Sequence, residues 1–590
     1  MGLTCRHFFP CGSSLVKQAG RVSALLLLGF AISLNARGQA ADTSSVPQNP
    51  LQQHYDAAHN FQAAGDLERA AFEYKIFLAE ALHRLANRRA KVGDSARAGL
   101  LFEEALKLAP NDVALLLDYA QASLSAGDLP KAESSAKKAV ESEPRNAKAR
   151  LVLGRIMSQL GENEAAKKQF ETALAIKPDF EAGYALATAY LKLKDIDRAQ
   201  TIFSEMVAGF GDTAELYIEF GRAYLVNDYT EQAIQEFKKA IAKDKRAPTA
   251  HYFLGAAYLL GAGDAAAPEA VAELREELKT NPQDFFGHYQ LGSIALKKGD
   301  HEEAEGELTR AATIDPQNPA PLIELGQLYT VTNRPSEAET VLRKAILLTK
   351  EPSRNNYQIQ RAHYMLGRLL LRSGRKEEGE NALKISGQLL KERPVPTPDM
   401  ASSNFASTGK KSARQGEVDL EALTNVESFE KQIGPAIADG YNNLGAITAS
   451  RNDFTAAITY FEKASEWNPS LEGLDYNRGR AAFSANEYDR AVGPLGRYLQ
   501  THPDDGWARG ALGMSLFMLG RLQLEQGDIK AAIASLEAAV KIDPMSEAIH
   551  HELATAYRQD SRVEDAEREM KLYEAIRNKR SEIPGPVKPN

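Results

Sequence analysis

Cysteine is nearly missing from this chain. Its 590 residues include two, Cys5 and Cys11, both within the first forty. Those forty residues also lack Asp and Glu while carrying Arg6, Lys17, Arg21 and Arg37. After Arg21 comes an apolar run, Val22 to Leu34 (VSALLLLGFAISL), and Gly38-Gln39-Ala40 then supplies small residues at a cleavage position. A basic start, a short apolar stretch and a small-x-small exit describe a signal peptide over residues 1–40, cleaved near Ala40. The run is shorter than the roughly 20 residues a membrane span needs, which sets an uncleaved anchor second. Arg6 stands where myristoylation of Gly2 would want Ser or Thr. Neither cysteine follows the apolar run, as a lipoprotein would require. Once residues 1–40 are removed the chain has no thiol, which excludes disulfides and cysteine metal sites. An exported, cysteine-free chain suits a bacterial periplasm or cell envelope.

Other absences narrow the function. Two tryptophans are present in the whole chain, and past residue 40 no apolar run is long enough to span a membrane. Positive charge falls short. Of the 71 basic residues, losing the four named above leaves 67 against 79 acidic ones, a balance of −12 that disfavours nucleic acid. There is no G-x-S-x-G elbow, no Walker loop and no G-x-G-x-x-G after a strand. His550-His551 precedes Glu552 but does not make H-E-x-x-H, and adjacent helical residues point to different faces. Carboxylate pairs such as Glu103-Glu104 and Glu302-Glu303 read as solvated helix surface. The expectation is no enzyme, no cofactor and no metal.

What is present is a period. Pro110, Pro144 and Pro178 recur at 34 residues, as do Pro282 to Pro316 and Pro469 to Pro503. Elsewhere alanine carries the register, in Ala199 to Ala233, Ala304 to Ala338 and Ala532 to Ala566. Twelve residues before the register alanine stands a small landmark residue: Gly154, Gly221, Gly292, Gly326, Gly367 and Gly445 are examples. Tyrosine follows it by three at Tyr190, Tyr224, Tyr258, Tyr329 and Tyr557. Phe102, Phe170, Phe203, Phe237 and Phe461 lie one helical turn after the register alanine, so both face one inter-helix core. Landmark, alanine, phenylalanine and terminal proline together closely resemble the tetratricopeptide-repeat (TPR) family. The resemblance implies an all-α, right-handed solenoid of about fourteen helix hairpins, stable only through stacking.

Departures from the period set the expected boundaries. The first unit has Ala58, Gly65 and Ala70 in register but no proline, and another unit has Gly379 where alanine belongs. Three extra residues fall between Gly255 and Ala270. Between Pro503 and Pro544 the interval is 41 residues, and the seven extra fit a first helix from Trp507 lengthened by about two turns. Residues 394–416 (PVPTPDMASSNFASTGKKSARQG) lack helical periodicity and read as flexible linker. The expected organisation is one array over 51–393, a mostly flexible linker over 394–432, a second array over 433–580 and a disordered tail at 581–590.

In the TPR family the first helix of each hairpin lines an inner groove. Three residues before the landmark this chain has Tyr184, Tyr252, Tyr289, Tyr364 and Tyr476. One residue after it come Arg155, Arg222, Arg368 and Arg480. The two positions are four apart and share a helix face, so Tyr364 would neighbour Arg368 and Tyr476 would neighbour Arg480. Repeated tyrosine and arginine suit a surface that grips proteins or peptides. The alternative is that these rings pack on the adjacent hairpin, since tyrosine serves either role. Asn443 and Asn477 resemble the asparagines of a carboxylate-clamp subfamily, but the accompanying basic residues are not in the matching places. The expected function is a non-catalytic protein–protein scaffold or adaptor in the bacterial cell envelope. The alternatives are a targeting subunit of a glycosyltransferase or peptidase complex, or a periplasmic carrier or chaperone.

Overall fold

Many of the hairpin turns follow from a two-residue signal. A residue in the left-handed region reverses the chain, and the next residue caps the second helix. Gly65, Gly299 and Gly527 take φ near +80°. Behind them Asp66, Asp300 and Asp528 accept from the backbone N–H three residues on, each at 3.2 Å. That bond satisfies a helix N–H that has no partner inside the helix. Where glycine is missing, Lys194, Asn333 and Asn452 adopt the same backbone with φ near +60°.

The structure, a computed structural model, describes residues 50–263, 267–348, 352–391 and 420–581. The expected signal peptide, the tail past 581 and residues 394–419 of the linker lie outside these. Among the described residues there are twenty-seven α-helices and no strand, the all-α hairpin solenoid that the period implies. Hairpins close where the landmark has no side chain. A Cβ on Gly154 would stand 2.5 Å from Cε1 of Phe170, and one on Gly326 would stand 2.5 Å from Cδ2 of Leu342. Fourteen hairpins would need twenty-eight helices. The count falls one short because Leu67–Lys91 is a single 25-residue helix that serves two hairpins. The missing proline of the first unit explains it: nothing ends that unit's second helix.

The described residues form two compact units that do not follow chain order. One holds the helices from Leu129–Ser142 to Lys376–Lys391. The other joins four early helices, Pro50–Ala63 to Val113–Ala126, to all eight helices from Leu420–Ser450 onward. The expected division into a 51–393 array and a 433–580 array is therefore corrected. Residues 50–126 pack with the later helices because their apolar faces share one core. Leu78, Leu82 and Tyr74 lie in the same cluster as Ile433, Ile437 and Tyr441. The linker boundary moves too, since helix Leu420–Ser450 begins thirteen residues before the expected 433. The lengthened first helix is present as Gly506–Glu525, 20 residues long.

Candidate functional site

The tyrosines that share an offset do not share an environment. Tyr252 is 2% exposed, with its ring 5.2 Å from Phe253 and 5.6 Å from Phe286 of the following hairpin. Burial raises its phenol pKa well above the ordinary value. It is a packing residue, which corrects its expected place on an open groove beside Tyr289 and Tyr364. Tyr184 and Tyr289 are half-buried and stack on Phe180 and Phe285, one turn back, at 6.0 Å each. Burial also raises the pKa of Tyr184. Tyr476 turns toward Tyr498 at 5.0 Å and Trp507 at 5.5 Å, where a stack with Arg480 was expected. Arg480 is exposed.

Two of the expected arginines are paired with nearby side chains. Arg155 pairs with Glu181 of the next hairpin at 3.1 Å. Arg222 pairs with Glu219 at 2.8 Å and lies 5.5 Å from the centroid of Phe253.

Tyr364 and Arg368 do meet, in the open. Tyr364 is 44% exposed, and Nη1 of Arg368 donates to its Oη at 3.2 Å. The guanidinium carbon lies 5.7 Å from the ring centroid, within cation–π range. They line a cleft of about 390 Å³ between two first helices, Pro319–Val331 and Pro352–Arg372. Val331, Met365 and Leu369 line it with apolar surface, and Arg361 and Arg372 line it as well. Among the described residues three arginines line it and no carboxylate does, in a chain of formal charge −8. Glu324 neutralises Arg361 at 2.7 Å from behind. The cleft is thus cationic with an apolar lining, which suits a segment presenting a carboxylate beside an apolar side chain. Arg361 and Arg372 were not singled out from the sequence. The signal was there, since residues 361, 364, 368 and 372 step along one helix face.

The histidines have a role the sequence did not reveal. His54, His288 and His550 each stand four residues before a landmark. Through Nδ1 they bond Glu73, Glu307 and Glu569 on the second helix, at 2.6, 2.5 and 2.6 Å. Each carboxylate lies 19 residues on. At His251 the partner is Glu273, 22 residues on and 2.6 Å away, so the three extra residues of that hairpin appear in the spacing. Nε2 of His251, His288 and His550 faces the carbonyl of Lys245, Pro282 and Pro544 at 3.3, 3.1 and 3.0 Å. Arg150 fills the same place in another hairpin, donating to Gln169 at 2.9 Å and to the Pro144 carbonyl at 3.1 Å. These are clasps that hold the hairpins. At His251 the hydrogen bond to Glu273 leads the causes that raise the imidazole pKa above 6.5. Among the described residues no group of three or more His, Asp or Glu is placed to hold a metal ion. None of the described helices is long and apolar enough to cross a membrane.

Comparison with known proteins gives one family. Models described as "Tetratricopeptide repeat" match residues 218–282, 265–319, 295–354, 438–471 and 476–524, and one described as "TPR repeat" matches 520–560. Residues 82–183 match the middle TPR-like domain of cilia and flagella-associated protein 70. The Protein CTR9 homolog of Arabidopsis thaliana is 26% identical over 389 residues, covering 63% of this chain and 31% of that protein. The BBSome complex member BBS4 homolog of Drosophila melanogaster is 22% identical over 310 residues, covering 46% and 60%. The chain thus spans less than two thirds of the length of either relative. Among solved structures, MamA is 25% identical, with 27% of this chain and 95% of that one covered and a TM-score of 0.24. The Cut9 assembly with Hcn1 is 15% identical, with 86% and 96% covered and a TM-score of 0.23.

Proposed function

The chain is a tetratricopeptide-repeat protein, and from that premise we propose that it is a non-catalytic scaffold that holds partner proteins. The observation that carries the reading is the cleft at Tyr364 and Arg368, cationic, apolar-lined and open to solvent. Its partner segment is extended and acidic, with a carboxylate on Arg368 or Arg372 and an apolar side chain on Met365 and Leu369. Similarity to a protein named as a member of a complex supports a role in assembly. The test is fluorescence anisotropy with a peptide library that pairs acidic with neutral versions of each sequence. Acidic peptides bind, and Tyr364→Ala weakens them by about 1–2 kcal/mol while the melting temperature holds. Equal binding of neutral peptides, or binding untouched by Tyr364→Ala, refutes the site.

The setting we propose is the bacterial cell envelope, reached by export with cleavage near Ala40. The order of charge, apolar run and small residues in 1–40 supports it. Amino-terminal sequencing of the fractionated protein tests this, and an intact Met1 in the cytosol refutes it.

A further inference from the structure

The early helices and the late helices of one unit meet at a joint built like a bisected core. Tyr74, Leu78 and Leu82 from the early segment share a buried cluster with Ile433, Ile437 and Leu444 from the late one. Beside it, Leu85 and Val92 pack with Val426. Gly440 brings the backbones close, since a Cβ there would lie 3.1 Å from Leu78 Cδ2 and 3.3 Å from Phe77 Cε1. Around this apolar centre runs a polar ring. Asp439 accepts from Tyr55 Oη at 2.7 Å and lies 3.0 Å from His59 Nε2. Gln62 donates to Asn443 at 3.2 Å. Glu104 accepts from Tyr441 Oη at 2.7 Å and pairs with Lys463 at 3.1 Å. Arg88 lies over the Phe429 ring at 3.9 Å. Arg89, 2% exposed, takes one carboxylate from each segment, Asp94 at 3.1 Å and Glu430.

An apolar centre, a ring of paired polar groups and a desolvated arginine are the anatomy of a stable association between separate proteins. Apart from the Arg89–Asp94 pair, each bond named above joins residues 50–126 to residues 420–581, and none of them draws on the 293 residues between Ala126 and Leu420. We propose that the joint is an association surface in its own right, whose partner is the early helical segment of this same chain. A chain cut between 392 and 419 therefore remains one particle, where a simple tandem of arrays would fall into two.

The experiment places a site-specific protease sequence within 394–416 of the full chain, cuts it, and measures the particle mass by light scattering and sedimentation. The expected result is the mass of the intact protein down to submicromolar concentration. Two pieces that migrate apart, each with a helical circular dichroism spectrum, overturn the proposal. Two variants then locate the surface. Asp439→Ala with Glu430→Ala removes the carboxylates opposite Tyr55, His59 and Arg89, and Gly440→Leu wedges the backbones apart. Each weakens association of the cut pieces at least tenfold while the uncut chain keeps its helical spectrum. If either variant unfolds the uncut chain, the other carries the test. Association unchanged in a folded variant overturns the proposal, because the pieces are then held elsewhere.

Discussion

Placing alanine at two glycines of the same unit tests how the hairpins are closed, because the physics demands opposite signs. Gly154 and Gly306 both lie inside helices, Ala147–Gln159 and His301–Ile314. On helix propensity alone each change to alanine stabilises by about 0.5–1 kcal/mol, mostly through the unfolded chain's lost freedom. At Gly306 nothing lies within 4 Å of the added methyl, so that gain stands. At Gly154 the methyl meets three atoms of the Phe170 ring at 2.5, 2.7 and 3.0 Å, and Phe170 is buried. The ring has no open space to enter, so the hairpin must widen, an overpacking cost of about 1–3 kcal/mol. Two other hairpins carry Ala86 opposite Phe102 and Ala187 opposite Phe203, so wider spacing is possible when built in from the start. The net effect of Gly154→Ala is a loss of about 1–2 kcal/mol, against a gain of about 0.5–1 kcal/mol for Gly306→Ala. Urea denaturation followed at 222 nm reads both as midpoint shifts. A midpoint raised by Gly154→Ala as well would refute close approach as the reason for the landmark glycines.

Two further outcomes follow from the site. Truncating Tyr252 to alanine removes a buried ring from between two hairpins and costs about 3 kcal/mol of stability, while peptide affinity per folded molecule stays the same; a drop in affinity without a drop in melting temperature would return Tyr252 to the groove. His251 gives a pH dependence with a definite sign. Its folded pKa is raised above 6.5, so its clasp to Glu273 stabilises fully below that value and loses its contribution as pH climbs through the raised one. The melting-temperature difference between wild type and His251→Gln is therefore larger at pH 6 than at pH 9, and a difference that grows with pH contradicts the clasp.

The period made the hairpins legible because close packing acts locally: Gly154 with Phe170, or Gly326 with Leu342, lie on adjacent helices. Even the missing proline of the first unit was visible, although its result, the 25-residue helix Leu67–Lys91, was not anticipated. What the period hides is which hairpin faces which at long range. The faces that meet here are apolar like those of every other hairpin, so nothing in Leu78 or Ile437 announces the other. The groove was half legible for a related reason. Offset from the landmark fixes a side chain's direction but not what stands beside it, and Phe286 covers Tyr252 while Tyr364 stays open. The histidine clasps escaped notice because each pairs across a hairpin, at 19 or 22 residues, with a glutamate indistinguishable from surface charge.

The claim that the cationic cleft is where partners bind is tested most directly by a photo-crosslinking residue at Val331. That position lines the cleft and is 58% exposed. Leu100, 68% exposed on helix Ser95–Leu108, serves as the control. A discrete protein adduct is expected at residue 331 that disappears when Tyr364 and Arg368 are both alanine, while any adduct at residue 100 is unaffected. An adduct at residue 331 that survives that double change, or none at all in cells where partners are present, would contradict it.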